Sequence, residues 1–120
     1  MSKARKAAEA SGRKAEKYAA MWLRLKGWRI LAERVKTARG EVDLVARRGK
    51  MVAFVEVKSR KTAKDLDMAI DENRLKRVAA AAEILFPTYC ENGEDCRIDV
   101  ILLAPGHLPR HLVNVWHGMN

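Results

Sequence analysis

Three charged residues on two adjacent segments could carry chemistry: Asp43 in EVDLVARR (41–48), and Glu56 and Lys58 in MVAFVEVKSR (51–60). Both segments are rich in valine and alternate in character, as strands do. Only Gly49 and Lys50 separate them, and a two-residue turn with a glycine free to take positive φ closes a hairpin. That turn sets the register: Arg48 faces Met51, Asp43 faces Glu56 and Glu41 faces Lys58. Facing side chains project to one side of a sheet with Cβ atoms roughly 5 Å apart. On the other side Val42, Leu44 and Ala46 face Val57, Val55 and Ala53, an apolar surface expected in the core. Three carboxylates and one ammonium therefore gather at the end of the hairpin away from its turn.

Two opposed carboxylates repel, and strands normally avoid that pairing. A divalent cation between them removes the repulsion. Magnesium (or manganese) takes a few carboxylate oxygens and completes its shell with water and substrate phosphate. The expected metal ligands are Asp43, Glu56 and the peptide carbonyl of Val57. Lys58 would hold, or help deprotonate, the water that attacks phosphorus. The alternative is a charged sheet face in which Lys58 neutralises the carboxylates as simple ion pairs. A slip of one residue in register would also scatter the cluster.

The elements that must position this hairpin follow from periodicity. From Arg13 to Lys26, residues Ala15, Tyr18, Ala19, Trp22, Leu23 and Leu25 recur at helical spacing, and Gly27 suits a left-handed cap. Residues 1–12 are basic and alanine-rich without a larger apolar stripe, which predicts a frayed or mobile start before a single domain over 13–120. WRILAERVK (28–36) predicts a first strand, and Thr37–Gly40 a polar loop. KTAKDLD reads as loop, followed by a second helix from about Met68 to Phe86 with Leu75, Val78, Ala79, Ala82 and Leu85 on one face. Pro87 follows its last turn, and RIDVILLA (97–104) and HLVNVW (111–116) predict two further strands. Helix, three strands, helix, one or two strands is the order of an α/β layered fold with a mixed sheet.

The net charge of +9 over 120 residues is uneven. Residues 1–40 hold 12 Lys/Arg against 3 Asp/Glu, whereas residues 41–120 hold 12 of each. Such a field attracts polyanions, and Lys3, Arg5, Lys6, Arg13 and Lys14 are candidate nucleic-acid contacts. A solvated helix and tail is the plainer account of the same charge. No apolar run approaches the roughly 18 residues of a membrane helix, and no apolar stretch follows the basic start as in a secretory signal. A cytoplasmic protein without a membrane partner is expected. In that setting Cys90 and Cys96 read as reduced thiols rather than a disulfide or zinc site.

Asp43, a return strand, then Glu56–Val57–Lys58 resembles the PD-(D/E)xK restriction-endonuclease-like superfamily. GEVDLVARRGKMVAFVEVKSR, followed after a helix by RIDVILLA, is similar to the bacterial YraN-like family of predicted endonucleases, itself similar to archaeal Holliday-junction resolvases. The resemblance covers about residues 12–104. It implies a restriction-endonuclease-like three-layer fold with a mixed four- to five-stranded sheet flanked by helices. It also implies Asp43 and Glu56 as metal ligands and Lys58 as the catalytic lysine. Glu16 stands where related nucleases place an acidic residue on the first helix, helping to hold a metal or its water. The alternative for Glu16 is an exposed glutamate pairing with neighbouring lysines. Val42 replaces the proline of the motif's name, and Arg74 stands where a DNA-contacting lysine is expected. Arg97 and Asp99 match an Arg-x-Asp pattern and are expected to pair or to orient the site. His107, His111 and His117 read as scattered surface histidines, Trp22 and Trp28 as core, and Trp116 as cover for a sheet edge.

The function expected is that of a metal-dependent endonuclease hydrolysing phosphodiester bonds of nucleic acid. DNA is the first candidate, with branched or recombination intermediates among its forms. Cutting a junction needs two such sites, so a homodimer is compatible with this reading. The alternatives are a catalytically silent nucleic-acid-binding module and an accessory subunit. Against the silent module, binding alone has no use for opposed carboxylates, which repel phosphate.

Overall fold

The computed structural model describes the backbone of residues 3–62 and 71–116, with side chains from residue 12 onward. Helix α1 (Lys3–Leu25) begins earlier than the Arg13 expected, in a stretch of alanine, lysine and arginine that favours helix without an apolar stripe. Its end is a Schellman motif. Gly27 takes φ +91°, its N–H donates to Arg24 O (3.1 Å), and the Trp28 N–H donates to Leu23 O (2.9 Å).

Strands β1 (Arg29–Thr37), β2 (Gly40–Arg48) and β3 (Met51–Ser59) follow as an antiparallel meander. Helix α2 (Glu72–Tyr89) then crosses over to β4 (Asp95–Leu103), which pairs parallel with β3, and β5 (Arg110–Leu112) closes the far edge antiparallel. The sheet is mixed, in the order β1-β2-β3-β4-β5.

The ends of α2 and β5 have identifiable causes. Helix α2 starts at Glu72, where Asp71 caps it and accepts the Asn73 N–H at 2.8 Å, and the expected start at Met68 lies outside the described residues. It also runs through Pro87 to Tyr89, where in the last turn a proline forfeits only one backbone donor. Strand β5 is shorter than the expected 111–116 because Asn114 takes φ +53° and gives its N–H to Asp99 instead of a ladder. The thiols of Cys90 and Cys96 are free.

The hairpin register is the one its turn dictates, from Arg48↔Met51 to Leu44↔Val55. Its burial is two-sided, however. On the α1 side Ala19, Ala20, Leu23 and Trp28 cover Leu44, Ala46, Ala53 and Val55. On the α2 side Leu75, Val78, Ala81 and Ala82 cover Val45, Val52 and Phe54. The expectation of a single apolar face is corrected: only the end of the hairpin is polar. Val42 also leaves its expected face and packs in the α2-side cluster. The ladder changes character there, since pairing with β1 skips from Glu33↔Leu44 to Val35↔Val42.

Candidate active site

Strands β2 and β3 bring Asp43 and Glu56 together inside the protein, at 5% and 2% exposure. The Asp43 Oδ2 accepts the Val57 N–H at 2.8 Å, so a side chain takes over the hairpin ladder where its regular pairs end. Burial, and then the charge of Glu56 and a side-chain hydrogen bond with it, push the Asp43 carboxyl up to about 8; the Val57 N–H only partly opposes this. The shift favours the protonated form of Asp43 beside Glu56. Two cations serve Glu56 in turn: Arg74 Nε lies 2.9 Å from Oε2 and Lys58 Nζ lies 3.8 Å from Oε1.

Lys58 was expected to face Glu41, but its ion pair is with Glu56, two residues back on its own strand. Arg74, expected on nucleic acid, spends its Nε on Glu56, a non-local partner no sequence pattern announces. Glu56 in turn keeps the guanidinium firmly charged.

Glu16 reaches this cluster from α1. Its ion pair is with Arg34 of β1 (3.7 Å), not with a lysine of its own helix. Burial raises its carboxyl, Arg34 opposes, and Glu41, Glu33 and Glu56 add repulsion. Arg34 itself takes φ +54°, a left-handed conformation uncommon outside glycine, at the point where the β1–β2 ladder skips Asp43. Sequence reasoning missed Arg34, since nothing in its local pattern marks the distortion. Arg13 and Lys14 are exposed on α1, with Lys14 lining a cleft beside Ser59 and His107. The side chains of Lys3, Arg5 and Lys6 lie outside the described residues.

A second charged cluster sits on the opposite face of the sheet. Asp99, fully buried, accepts from Arg97 Nε (3.0 and 3.2 Å) and from the Asn114 N–H (2.9 Å), with His111 Nε2 at 2.7 Å. Arg97 and Asp99 do pair, as expected. His111 is not a scattered surface residue: it is mostly buried because β5 delivers it to Asp99. Trp28 packs edge-on to His111 (6.3 Å between ring centres), with Arg48 and Arg97 over its ring at 4.6 and 5.4 Å. This cluster ties β4 and β5 to Trp28, just past α1, and none of its hydrogen bonds or ion pairs is with Asp43 or Glu56. His107 is exposed, and His117 lies outside the described residues.

Among the described residues no group of three or more His, Cys, Asp or Glu side chains could enclose a metal ion. The donors at hand are two carboxylates and a backbone carbonyl. A strand residue sends its N–H and C=O to the same side, so the Val57 carbonyl points toward Asp43 as its N–H does. Sparse, oxygen-only coordination suits magnesium or manganese and not zinc. The buried pair also fits the charge of such an ion, which would take the place of the proton on Asp43.

The model of the family described as "Uncharacterised protein family UPF0102" matches residues 15–103. The chain belongs to this family. It is the YraN-like family that the hairpin resembles. The UPF0102 protein of Erythrobacter litoralis is 68% identical over 112 residues, covering 93% of this chain and 97% of its own. That of Sphingopyxis alaskensis is 64% identical over 112 residues, with the same coverage of 93% and 97%. Among solved structures, a Holliday junction resolvase from Archaeoglobus fulgidus superposes with a TM-score of 0.58 at 19% identity, over 86% of this chain and 72% of that one. That likeness shows the fold, a restriction-endonuclease-like α/β three-layer arrangement whose mixed sheet here has five strands.

Proposed function

We propose that this UPF0102 chain is a metal-dependent nuclease that hydrolyses the phosphodiester backbone of DNA. The observation that carries the reading is the buried Asp43–Glu56 pair. As pure architecture such a pair is a liability, because two opposed carboxylates in a low-dielectric setting cannot both ionise without cost. As a cation site it is useful. Asp43, Glu56 and the Val57 carbonyl would hold magnesium or manganese, which supplies positive charge against the charge developing on phosphorus.

The remaining groups have distinct tasks. Arg74 fixes the Glu56 carboxylate by its 2.9 Å contact, and α2 carries it there. Lys58, about one-fifth exposed, is the group that can reach outward from Glu56 to the attacking water and the phosphoryl oxygens. Glu16, held by Arg34, stands at the margin to orient water. Branched DNA enters as a substrate through the likeness to the archaeal resolvase. A junction requires two cuts, so we propose action as a homodimer. We place the protein in the cytoplasm; among the described residues no helix is long and apolar enough to cross a membrane.

The test is incubation with branched, single-stranded and duplex DNA, with magnesium or manganese and with chelator. Cleavage should need the metal and disappear in Asp43→Asn. Absence of cleavage on all three substrates with both metals would leave a DNA-binding module instead.

A further inference from the structure

Beside the carboxylates, on the α2 side, lies a separate cleft of about 360 Å³ lined by Lys36, Thr37, Gly40, Glu41, Arg74 and Arg77. We infer that this cleft is a seat for a backbone phosphate next to the one being cut, with Lys36 and Arg77 as its principal contacts. The inference rests on the nuclease reading for its substrate and adds residues that the hairpin chemistry does not use.

The cleft is built rather than incidental. Thr37 Oγ1 donates to Gly40 O (2.7 Å) and accepts the N–H groups of Arg39 (3.2 Å) and Gly40 (3.1 Å), which pins the β1–β2 turn in one shape. That turn is pressed onto α2 so closely that a Cβ on Gly40 would lie 2.4 Å from the Arg77 carbonyl oxygen. Two elements far apart in sequence are thereby locked with Lys36 from β1 facing Arg74 and Arg77 from α2.

The charge balance favours an anion. Three cations meet one carboxylate in the cleft, Glu41, which is the register partner of Lys36. Arg74 is engaged by Glu56, but among the described residues neither Lys36 nor Arg77 has an ion-pair or hydrogen-bond partner for its charged group. Both are exposed. Arg74 is the common wall, lining the cleft while touching Glu56 at 2.9 Å, so an anion seated there lies one guanidinium away from the carboxylate pair. Neighbouring phosphates of one strand would meet the two places together.

The probe is a fluorescent duplex oligonucleotide titrated in chelator, so that cleavage plays no part, over a range of salt. Lys36→Gln/Arg77→Gln should flatten the dependence of log affinity on log salt by about 0.9, the amount expected for the one phosphate contact removed. Lys36→Arg/Arg77→Lys should restore the slope. Lys26→Gln/Lys50→Gln, the same charge change near the turn of the hairpin, should not move it; melting curves confirm that each variant is folded. A slope equal to the parent's in Lys36→Gln/Arg77→Gln overturns the inference, as does a parent that binds no duplex. Inorganic phosphate at millimolar concentration should compete no better than its ionic strength predicts. Strong competition that the double variant abolishes would mean a site for free phosphate and would overturn the assignment to the DNA backbone. A parent that binds with the expected slope yet never cuts would leave this seat standing and remove the nuclease reading instead.

Discussion

In chelator at pH 8, Asp43→Asn is expected to be more stable than the parent protein. The folded Asp43 carboxyl is held near 8 against an ordinary 3.8, because it is buried beside Glu56. Below pH about 4 both folded and unfolded chains keep this proton, and it contributes no difference. Between about 4 and about 8 the unfolded chain releases it while the folded chain does not. Stability therefore drains away with rising pH, at up to ~1.4 kcal/mol per pH unit, and levels off above the folded value. Asparagine is neutral throughout and still offers an oxygen to the Val57 N–H, the 2.8 Å contact that Asp43 makes. Even ~1.4 kcal/mol, a single pKa unit's worth, moves the midpoint of a chain this size by about 6 °C. Thermal melts of both proteins from pH 5 to 9 measure the difference, which should widen as pH rises to 8. Added magnesium should then raise the parent's midpoint and leave Asp43→Asn unmoved, because only a ligand bound by the native state stabilises it. A difference that stays constant with pH would refute the reasoning: Asp43 would then be ionised in the fold at no cost, and burial beside Glu56 would not be what sets its proton.

Lys58→Ala should keep its fold, its metal and most of its DNA affinity while losing roughly a hundredfold in cleavage rate, since a group acting on the attacking water works mainly in the transition state. Single-turnover cleavage beside equilibrium binding separates the two effects. Gly40→Ala should cost about 1–3 kcal/mol in urea denaturation, because its Cβ would fall 2.4 Å from a backbone oxygen that cannot easily yield. Asp99→Ala should be more damaging, about 3–5 kcal/mol, by stranding Arg97, His111 and the Asn114 N–H around an empty buried position. The same melts should show His111→Ala losing less, since Asp99 would keep its bonds to Arg97 and Asn114.

The hairpin was the most legible part of this sequence, because a two-residue turn at Gly49–Lys50 leaves only one register that buries Leu44 and Val55 together. The α/β order was legible for the same kind of reason, from local periods that tertiary contacts reinforce. What escaped was non-local. Arg74 meets Glu56 across 18 residues and His111 meets Asp99 across 12, and neither side chain differs locally from a solvated one. The distortion at Arg34 is set by how β1 passes Asp43, which no propensity encodes. Two-sided burial of the hairpin is hidden too, because Val45 and Phe54 alternate onto the same side as the charged pair, and it takes α2 packed on that side to bury them.

The parallel pairing of β3 with β4 has a consequence for how this protein folds. Asp43 and Glu56 belong to a local hairpin, whose partners are near in sequence and can meet within microseconds. Their cationic companion Arg74 rides on the crossover that must close before β4 can dock beside β3, a slow, long-loop event. The two carboxylates thus come face to face before the arginine that reconciles them has arrived. Water can screen them only while that end of the hairpin remains open. The last stage of folding, sealing α2 over the sheet, is then the step that feels the carboxylates, and its rate should depend on pH and on divalent cations in solution far more than the rate of hairpin formation does.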